Sequence, residues 1–550
     1  MRASWLLALA LGVGGVAWAQ DGEAPKQSDI TFSIEGFYRA RGYVFGGLFD
    51  GVDGPAKYVD HRMRLTPTAA YKDLAKLKMT VDALDNVVWG DNASLASTSL
   101  FAGGPSVTDT SGQEIPSLRL ERAWVEMTLP VGRLDVGRQP SNWGMGLLAN
   151  DGNGFDDSFG ENRGGSTVDR AIFATRPIAI GQAIAGKDDS NIPLFAAVGV
   201  DRLVEQPLIR YYGYTCTPGI TSDEPGFDAR CDSNGDGVTD LSHDYTDDTR
   251  TESQRAADWW APSNDDVFEM IYALIYDGKG IPLFGEKSEA TLGTYIVDRR
   301  QRQSDSKVLV VDVYGKLRTH GIYVEGEALH IGGHTRAITL PGAVNQGTDD
   351  PLYKTADIWG YVVRGGYELP WMQAVLEHGY ASGDANVADG RFTGRPLHPD
   401  YNVGLILYEQ VLARVTAALW THAAEGLWSQ GGVYNSRYLF PTLHFEPLQS
   451  KKYGHTEIIA AFLEAWPDKP DGSIIHCKPG DKVDCALYNA SHAPIGWEAD
   501  LAIKHRWHEH LLFSLEGGFA HVTDRIPLGA AGLNPNGNTW TVQSRAGFEF

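Results

Sequence analysis

The segment Asp232-Ser233-Asn234-Gly235-Asp236-Gly237-Val238-Thr239-Asp240 has the residue types and spacing to hold a hard cation. Side-chain oxygens at its first, third, fifth and ninth positions come from Asp232, Asn234, Asp236 and Asp240, and Gly237 permits the sharp turn at the sixth. Val238 would add its backbone carbonyl. The twelfth position is His243 rather than a bidentate Glu, so the helix–loop–helix form is not met, and Asp244 is the carboxylate nearest to closing the shell. The expectation is a structural Ca2+ that relieves repulsion among neighbouring carboxylates; the alternative is a solvated acidic turn.

Other reactive types are sparse. The chain has 4 Cys, at Cys216, Cys231, Cys477 and Cys485, with no Cys-x-x-Cys spacing for a metal. In an oxidising compartment the local pairs Cys216–Cys231 and Cys477–Cys485 are the natural disulfides, one of three pairings that four cysteines permit. There is no Gly-x-Ser-x-Gly, His-Glu-x-x-His or phosphate-loop motif. His505, His508 and His510 cluster near one turn and are read as solvated. The sequence is therefore read as a non-enzyme without catalytic residues.

A second kind of chemistry is spread along the first third of the chain. Arg39, Arg41, Arg62, Arg64, Lys76, Lys78, Arg119, Arg122, Arg138 and Arg170 fall on or beside one face of alternating segments. If that face lines a pore, a ring of bases lowers the barrier for anions. The competing reading pairs these bases with Glu35, Asp82, Glu121, Glu126 and Asp135 across the wall.

The elements that must position them are strands. Between Ile30 and Phe45, Phe32, Ile34, Tyr38, Ala40 and Val44 oppose Ser33, Glu35, Arg39 and Arg41. Met63, Leu65, Ala69 and Tyr71 likewise oppose Arg62, Arg64, Thr66 and Thr68. A third segment sets Leu77, Met79, Val81 and Ala83 against Lys76, Lys78, Thr80 and Asp82. Further strands are expected near 116–129, 131–139, 167–177, 193–205, 266–277, 288–300, 306–319, 321–332, 356–369, 371–382, 401–418, 455–467, 497–508, 510–522 and 539–550. Room remains for an extra hairpin between Trp420 and Phe445. The total is about 18 strands, within 16–18.

Connection lengths sort by parity. Lys72-Asp73-Leu74, Pro130-Val131-Gly132, His320-Gly321, Leu369-Pro370-Trp371 and His508-Glu509 are short, whereas 87–115, 140–166, 206–265, 333–355, 383–400, 468–496 and 523–538 are long. A membrane barrel has short turns on the periplasmic side and long loops outside. The connections 178–192 and 278–287 are longer than this scheme expects, and 301–305 is shorter.

Both chain ends agree. Met1-Arg2, an apolar stretch from Trp5 to Val16, and Ala17-Trp18-Ala19 form a secretory signal peptide over 1–19, with a short periplasmic segment at 20–29. At the other end Trp540, Val542, Ala546, Phe548 and Phe550 repeat at period two up to the last residue. The formal charge of -23 from 47 Lys+Arg and 70 Asp+Glu excludes a nucleic-acid partner, which needs a basic face. With 43% hydrophobic residues the chain can bury a large apolar surface and is not disordered.

Gly137-Arg138-Gln139-Pro140 with Trp143-Gly144-Met145-Gly146 resembles the Gly-Arg-Gln segment of the alginate-export and related outer-membrane porin families. Ala381-Ser382-Gly383-Asp384, Phe392 and Leu397-His398-Pro399-Asp400-Tyr401 are similar to a second segment of the same families. The resemblance implies loops folded toward the pore, with Arg138, Asp151 and Asp384 near the conduit. The acidic, cysteine-bearing outer loops depart from that pattern and would repel a polyanion such as alginate. The reading is a single antiparallel transmembrane β-barrel in the Gram-negative outer membrane, surrounded by its lipid and passing a small polar solute, ions or a polysaccharide. The alternative is a loop-plugged, surface-binding barrel.

Overall fold

The computed structural model describes residues 29–52, 54–89, 118–154, 157–162, 165–186, 192–203, 214–215, 221, 238, 244–245, 267–281, 284–285, 288–301, 306–335, 354–385, 390–419, 429–470 and 492–550. The signal segment, all four cysteines, and Asp232, Asn234, Asp236 and Asp240 lie outside the described residues. Val238 is described, in an antiparallel bridge with Thr221.

Eighteen antiparallel strands close on themselves. They are β1 (Ile30–Gly46), β2 (Ala56–Tyr71), β3 (Ala75–Val88), β4 (Leu118–Leu129), β5 (Gly132–Pro140), β6 (Thr167–Thr175), β7 (Leu194–Leu203), β8 (Val267–Lys279) and β9 (Glu289–Gln301). The circuit continues through β10 (Ser306–Thr319), β11 (Ile322–Thr335), β12 (Lys354–Leu369), β13 (Met372–Ala381), β14 (Ser436–Ser450), β15 (Gly454–Pro467), β16 (Gly496–Trp507), β17 (Leu511–Val522) and β18 (Asn538–Glu549). Each strand pairs with the next, and β18 closes on β1 from Phe37↔Glu549 to Gly46↔Trp540. Closure gives every strand of the circuit a partner on both sides, as a bilayer requires.

Period-two alternation sets which face is which. On β18, Trp540, Val542 and Phe548 are 40–45% exposed, while Thr541, Gln543 and Arg545 between them are at most 3% exposed. On β1, Arg39 and Arg41 turn inward with Tyr43. Apolar residues thus face out and polar ones in, the reverse of a water-soluble domain and the pattern of a barrel in lipid. No helix among the described residues is long and apolar enough to cross a membrane.

The short connections share one end with Asp29 and the C-terminus. His320 (φ 50°) and Gly321 (φ 81°) form a two-residue hairpin with both central residues left-handed, which suits the strands' twist. The longer 178–192 connection holds the helix α1 (Pro177–Ile184).

One expected strand is corrected. Residues 401–418 form no strand: Leu407–Leu412 is a π-helical turn running into α2 (Ala413–Leu419). Leu405, Ile406, Leu407 and Tyr408 are consecutive and all at most 1% exposed. A wall strand hides only alternate residues from lipid, so a run buried on every side belongs inside the barrel. The fourteenth strand is Ser436–Ser450, which overlaps the Trp420–Phe445 stretch that left room for a hairpin. A two-residue strand, Arg391–Phe392, runs parallel to β12 and adds to the sheet without joining the circuit.

Candidate functional site: the lumen and its two infolded loops

The loop leaving β5 does not stay at the rim. It is anchored by the Ser141 N–H donating to Ser166 O and the Trp143 N–H to Ala149 O, both at 3.0 Å. It then reaches β9–β11 on the far side. The Trp143 indole stacks on Tyr295 at 5.2 Å and donates to Asp312 Oδ1 at 2.9 Å. The Glu327 carboxylate accepts from the N–H of Met145 and of Leu147. Gly144 sits at φ 56°, and a Cβ there would strike that carboxylate, so the Gly-Met-Gly sequence is what lets the backbone approach.

The same loop returns to the arginine-bearing wall of β1, β2 and β4. Glu161 bridges Arg39 and Arg41, the latter at 3.2 Å. Arg39 also meets Asp60 at 2.5 Å, and Glu516 links Arg41 to Arg545 at 3.1 Å each. Arg62 donates to Asn162 O at 3.1 Å, and Arg64 to Gly152 O at 3.1 Å. Asp82 lies between Arg62 and Arg64, at 3.3 and 2.7 Å. Burial alone would raise the Glu161 carboxyl, but the charges of Arg39, Arg41 and Arg545 hold it below the ordinary carboxylate range.

Described parts of the loop between β13 and β14 also turn inward. Glu498 of β16, fully buried, accepts the N–H groups of Leu405, Ile406 and Leu407 at 2.6, 2.8 and 2.7 Å. Glu377 accepts from Tyr401 at 3.0 Å and Tyr438 at 2.7 Å. The two loops join where the His398 N–H donates to Leu147 O at 2.8 Å and Asn402 to Asp157 Oδ2 at 2.8 Å. His398 Nδ1 accepts the Asp400 N–H at 3.1 Å, and burial lowers the imidazole's pKa, with Arg395 adding to the effect against Asp400.

The residues singled out from sequence separate into groups. Arg39, Arg41, Arg62 and Arg64 are inward and covered by the 141–166 loop. Arg119 pairs with Glu121 at 2.7 Å and is half exposed. Arg138 stands on the same face of β5 as the exposed Val136, two residues away, and forms a bidentate pair with Asp169 at 2.9 and 2.8 Å. Its neighbour Gln139 is the one turned inward. Asp384 is buried just beyond β13, accepting the Thr393 N–H at 3.0 Å.

Sequence reasoning did not single out Glu161, Glu498 or Arg395. Arg395 is half-buried, with no hydrogen-bond or ion-pair partner among the described residues. Burial and the charge of Arg299 push its pKa down to about 10, Glu269 acting the other way, so it stays cationic at neutral pH. Arg122 is held by Asp151 O at 2.7 Å and Thr167 Oγ1 at 2.9 Å, with no carboxylate at ion-pair distance among the described residues.

The architecture is that of an outer-membrane β-barrel. No protein-family model matches the sequence, and neither does any curated protein. Among solved structures the chain is similar to Acinetobacter baumannii OccAB1, at 9% identity and TM-score 0.47 over 94% of this chain and 96% of that one. It is similar to Pseudomonas aeruginosa OpdQ at 10% identity and TM-score 0.46, over 95% and 98% of the chains. Pseudomonas aeruginosa OpdK, solved with vanillate, is similar at 9% identity and TM-score 0.45, over 94% and 98%. The likeness is one of overall shape, and what the lumen can do follows from this chain's own residues.

Proposed function

We propose that the chain is a passive outer-membrane channel for small polar solutes, selecting by width and lumen charge and favouring anions. The observation that carries this reading is the wall: eighteen strands enclose a lumen wide enough for water, and its inward positions are charged where a packed barrel would be apolar. The infolded loops narrow that lumen. Arg395, half-buried, then presents a fixed cation with no carboxylate at ion-pair distance among the described residues, and such charge in a narrow, low-dielectric passage lowers the barrier for an anion. No covalent step is involved.

Polysaccharide export, which the similarity to the alginate-export families implies, is the finer reading. A long polymer would have to displace the joint between His398 and Leu147. A barrel sealed by its own loops is supported by the buried run from Leu405 to Leu412. Single-channel conductance of the refolded protein under a salt gradient separates these readings. Stable steps with an anion-selective reversal potential are expected; a folded, heat-modifiable barrel that passes no current would favour the sealed form.

Two further expectations belong to the same reading. The Asp232–Asp240 segment holds Ca2+ that stiffens an outer loop; calorimetric titration should give heat that is lost in Asp232→Ala plus Asp236→Ala. Residues 1–19 are removed on export, which N-terminal sequencing of the outer-membrane protein would check.

A further inference from the structure

The outer face of the wall, at the long-loop end, carries a feature that a channel does not need. Arg138, Arg202, Arg300, Lys307 and Arg391 occupy one cross-strand row spanning β5 to β12. Arg138 and Arg202 each lie opposite Asp169, and Arg202 and Arg300 each lie opposite Phe268. Arg300 lies opposite Lys307, and the row continues through His334 and Thr355 to Arg391 beside Thr355. On β7, β9 and β10 the basic residue is one position from the strand end, and on β5 it is two. It shares its face with exposed apolar residues: Val136 with Arg138, Val200 with Arg202, Leu309 with Lys307.

The row one step toward the short-turn end is mostly apolar. Val136, Ala171, Val200, Met270 and Leu309 follow one another in register, interrupted by Asp298. The bases therefore sit where the apolar band ends, at headgroup height. Acids orient some of them: Asp169 holds Arg138, Asp298 holds Arg300 at 2.7 Å, and Asp357 holds Arg391 at 3.3 Å. The side chains of Arg138, Arg300 and Arg391 stay 45–65% exposed, leaving donors for a further acceptor. The far side of the rim is built differently. There Trp497 packs with Phe462 at 5.9 Å and Phe519 at 5.7 Å, an aromatic belt with Arg437 nearby opposite Trp466.

We propose that the row from Arg138 to Arg391 is a binding surface for phosphate-bearing lipid headgroups in the leaflet at the long-loop end. Guanidinium groups bind phosphate oxygens in parallel pairs, and a row at fixed height matches headgroups lying in a plane. The barrel is thereby given a lipid-ordered side and an aromatic side.

The test uses the full-length barrel in phosphatidylcholine nanodiscs, titrated with diphosphoryl lipid A and read by native mass spectrometry. Replacing Arg138, Arg202, Arg300 and Lys307 by Ser should weaken retention on the order of 1,000-fold, from the usual gain per basic residue at an anionic surface. Arg437→Ser with Lys57→Ser, outward on the other side, should leave retention unchanged. The unmutated protein should also discriminate against dephosphorylated lipid A, a comparison independent of whether the fourfold variant folds. Equal retention by a folded variant, or equal binding of the dephosphorylated lipid, overturns the proposal. Displacement by inorganic phosphate would overturn it too, as it would mark a soluble-anion site.

Discussion

On the wall of β1, β2 and β4 guanidinium groups point inward, and the 141–166 loop meets them with acceptors: the Glu161 carboxylate and the carbonyls of Asp151, Gly152 and Asn162. Elsewhere on the wall β10, β11 and β16 present carboxyl groups instead. There the two loops turn donors inward, from Trp143, Met145 and Leu147 to Asp312 and Glu327, and from Leu405, Ile406 and Leu407 to Glu498. Every peptide unit carries a donor and an acceptor, so one loop can serve both walls, and wall charge selects which group it turns in. The asymmetry lies in the side chains. Arginine cannot lose its charge, so its wall also needs a carboxylate. A carboxyl is satisfied by N–H groups alone.

The largest break in this comparison should come from Glu498→Leu, which leaves three buried N–H groups without an acceptor. At roughly 1–3 kcal/mol per orphaned donor, the 403–419 segment should detach. Conductance is expected to rise several-fold and trypsin to cut after Arg414; intact blocking and an uncut chain would show that the wall carboxyl does not hold the loop.

Glu161→Gln tests the arginine-bearing wall. Removing the carboxylate from a buried ion cluster costs about 3–5 kcal/mol, readable as a lower denaturant midpoint for the heat-modifiable barrel. The pH dependence has a definite sign. The folded carboxyl titrates below its unfolded value of about 4.3, so its stabilisation is complete above that value and lost as pH falls through the folded pKa. Native and variant proteins should differ most near neutrality and converge in acid. A constant difference across that range would remove charge from the explanation.

Arg395→Gln sharpens the comparison without touching either loop anchor. Stability should be unchanged, while the anion-to-cation permeability ratio falls a few-fold under a salt gradient. An unaltered reversal potential would take Arg395 out of the conduit. The smallest effect is expected for Trp143→Phe, which keeps the ring against Tyr295 but removes one N–H from Asp312. A loss of about 1 kcal/mol, with conductance unchanged, would class this contact as support only.

Much of the wall was legible in advance, because a strand in lipid writes its two faces into the sequence at period two. Arg39 and Arg41 against Ala40 and Val44, and Thr541 and Gln543 against Trp540 and Val542, already divide inside from outside. Loop lengths gave the parity of the turns. What misled was burial without periodicity. The run from Tyr401 to Thr416 is apolar enough for a wall strand, yet its residues are buried by a surrounding barrel that no local pattern reports. Arg138 illustrates a second ambiguity: near a strand end, one residue decides the face, and Gln139 took the inward position.

The sequence by itself determined an antiparallel membrane barrel of about 18 strands (16–18), its short-turn and long-loop ends, and a basic inner face on the early strands. These follow from local alternation and chain length. Only the tertiary structure decided what those bases meet. Glu161 lies 122 residues from Arg39, and Glu516 lies 475 from Arg41. Partners so distant in sequence are brought together by closure of the barrel and infolding of its loops, and neither leaves a spacing in the chain that could be read beforehand.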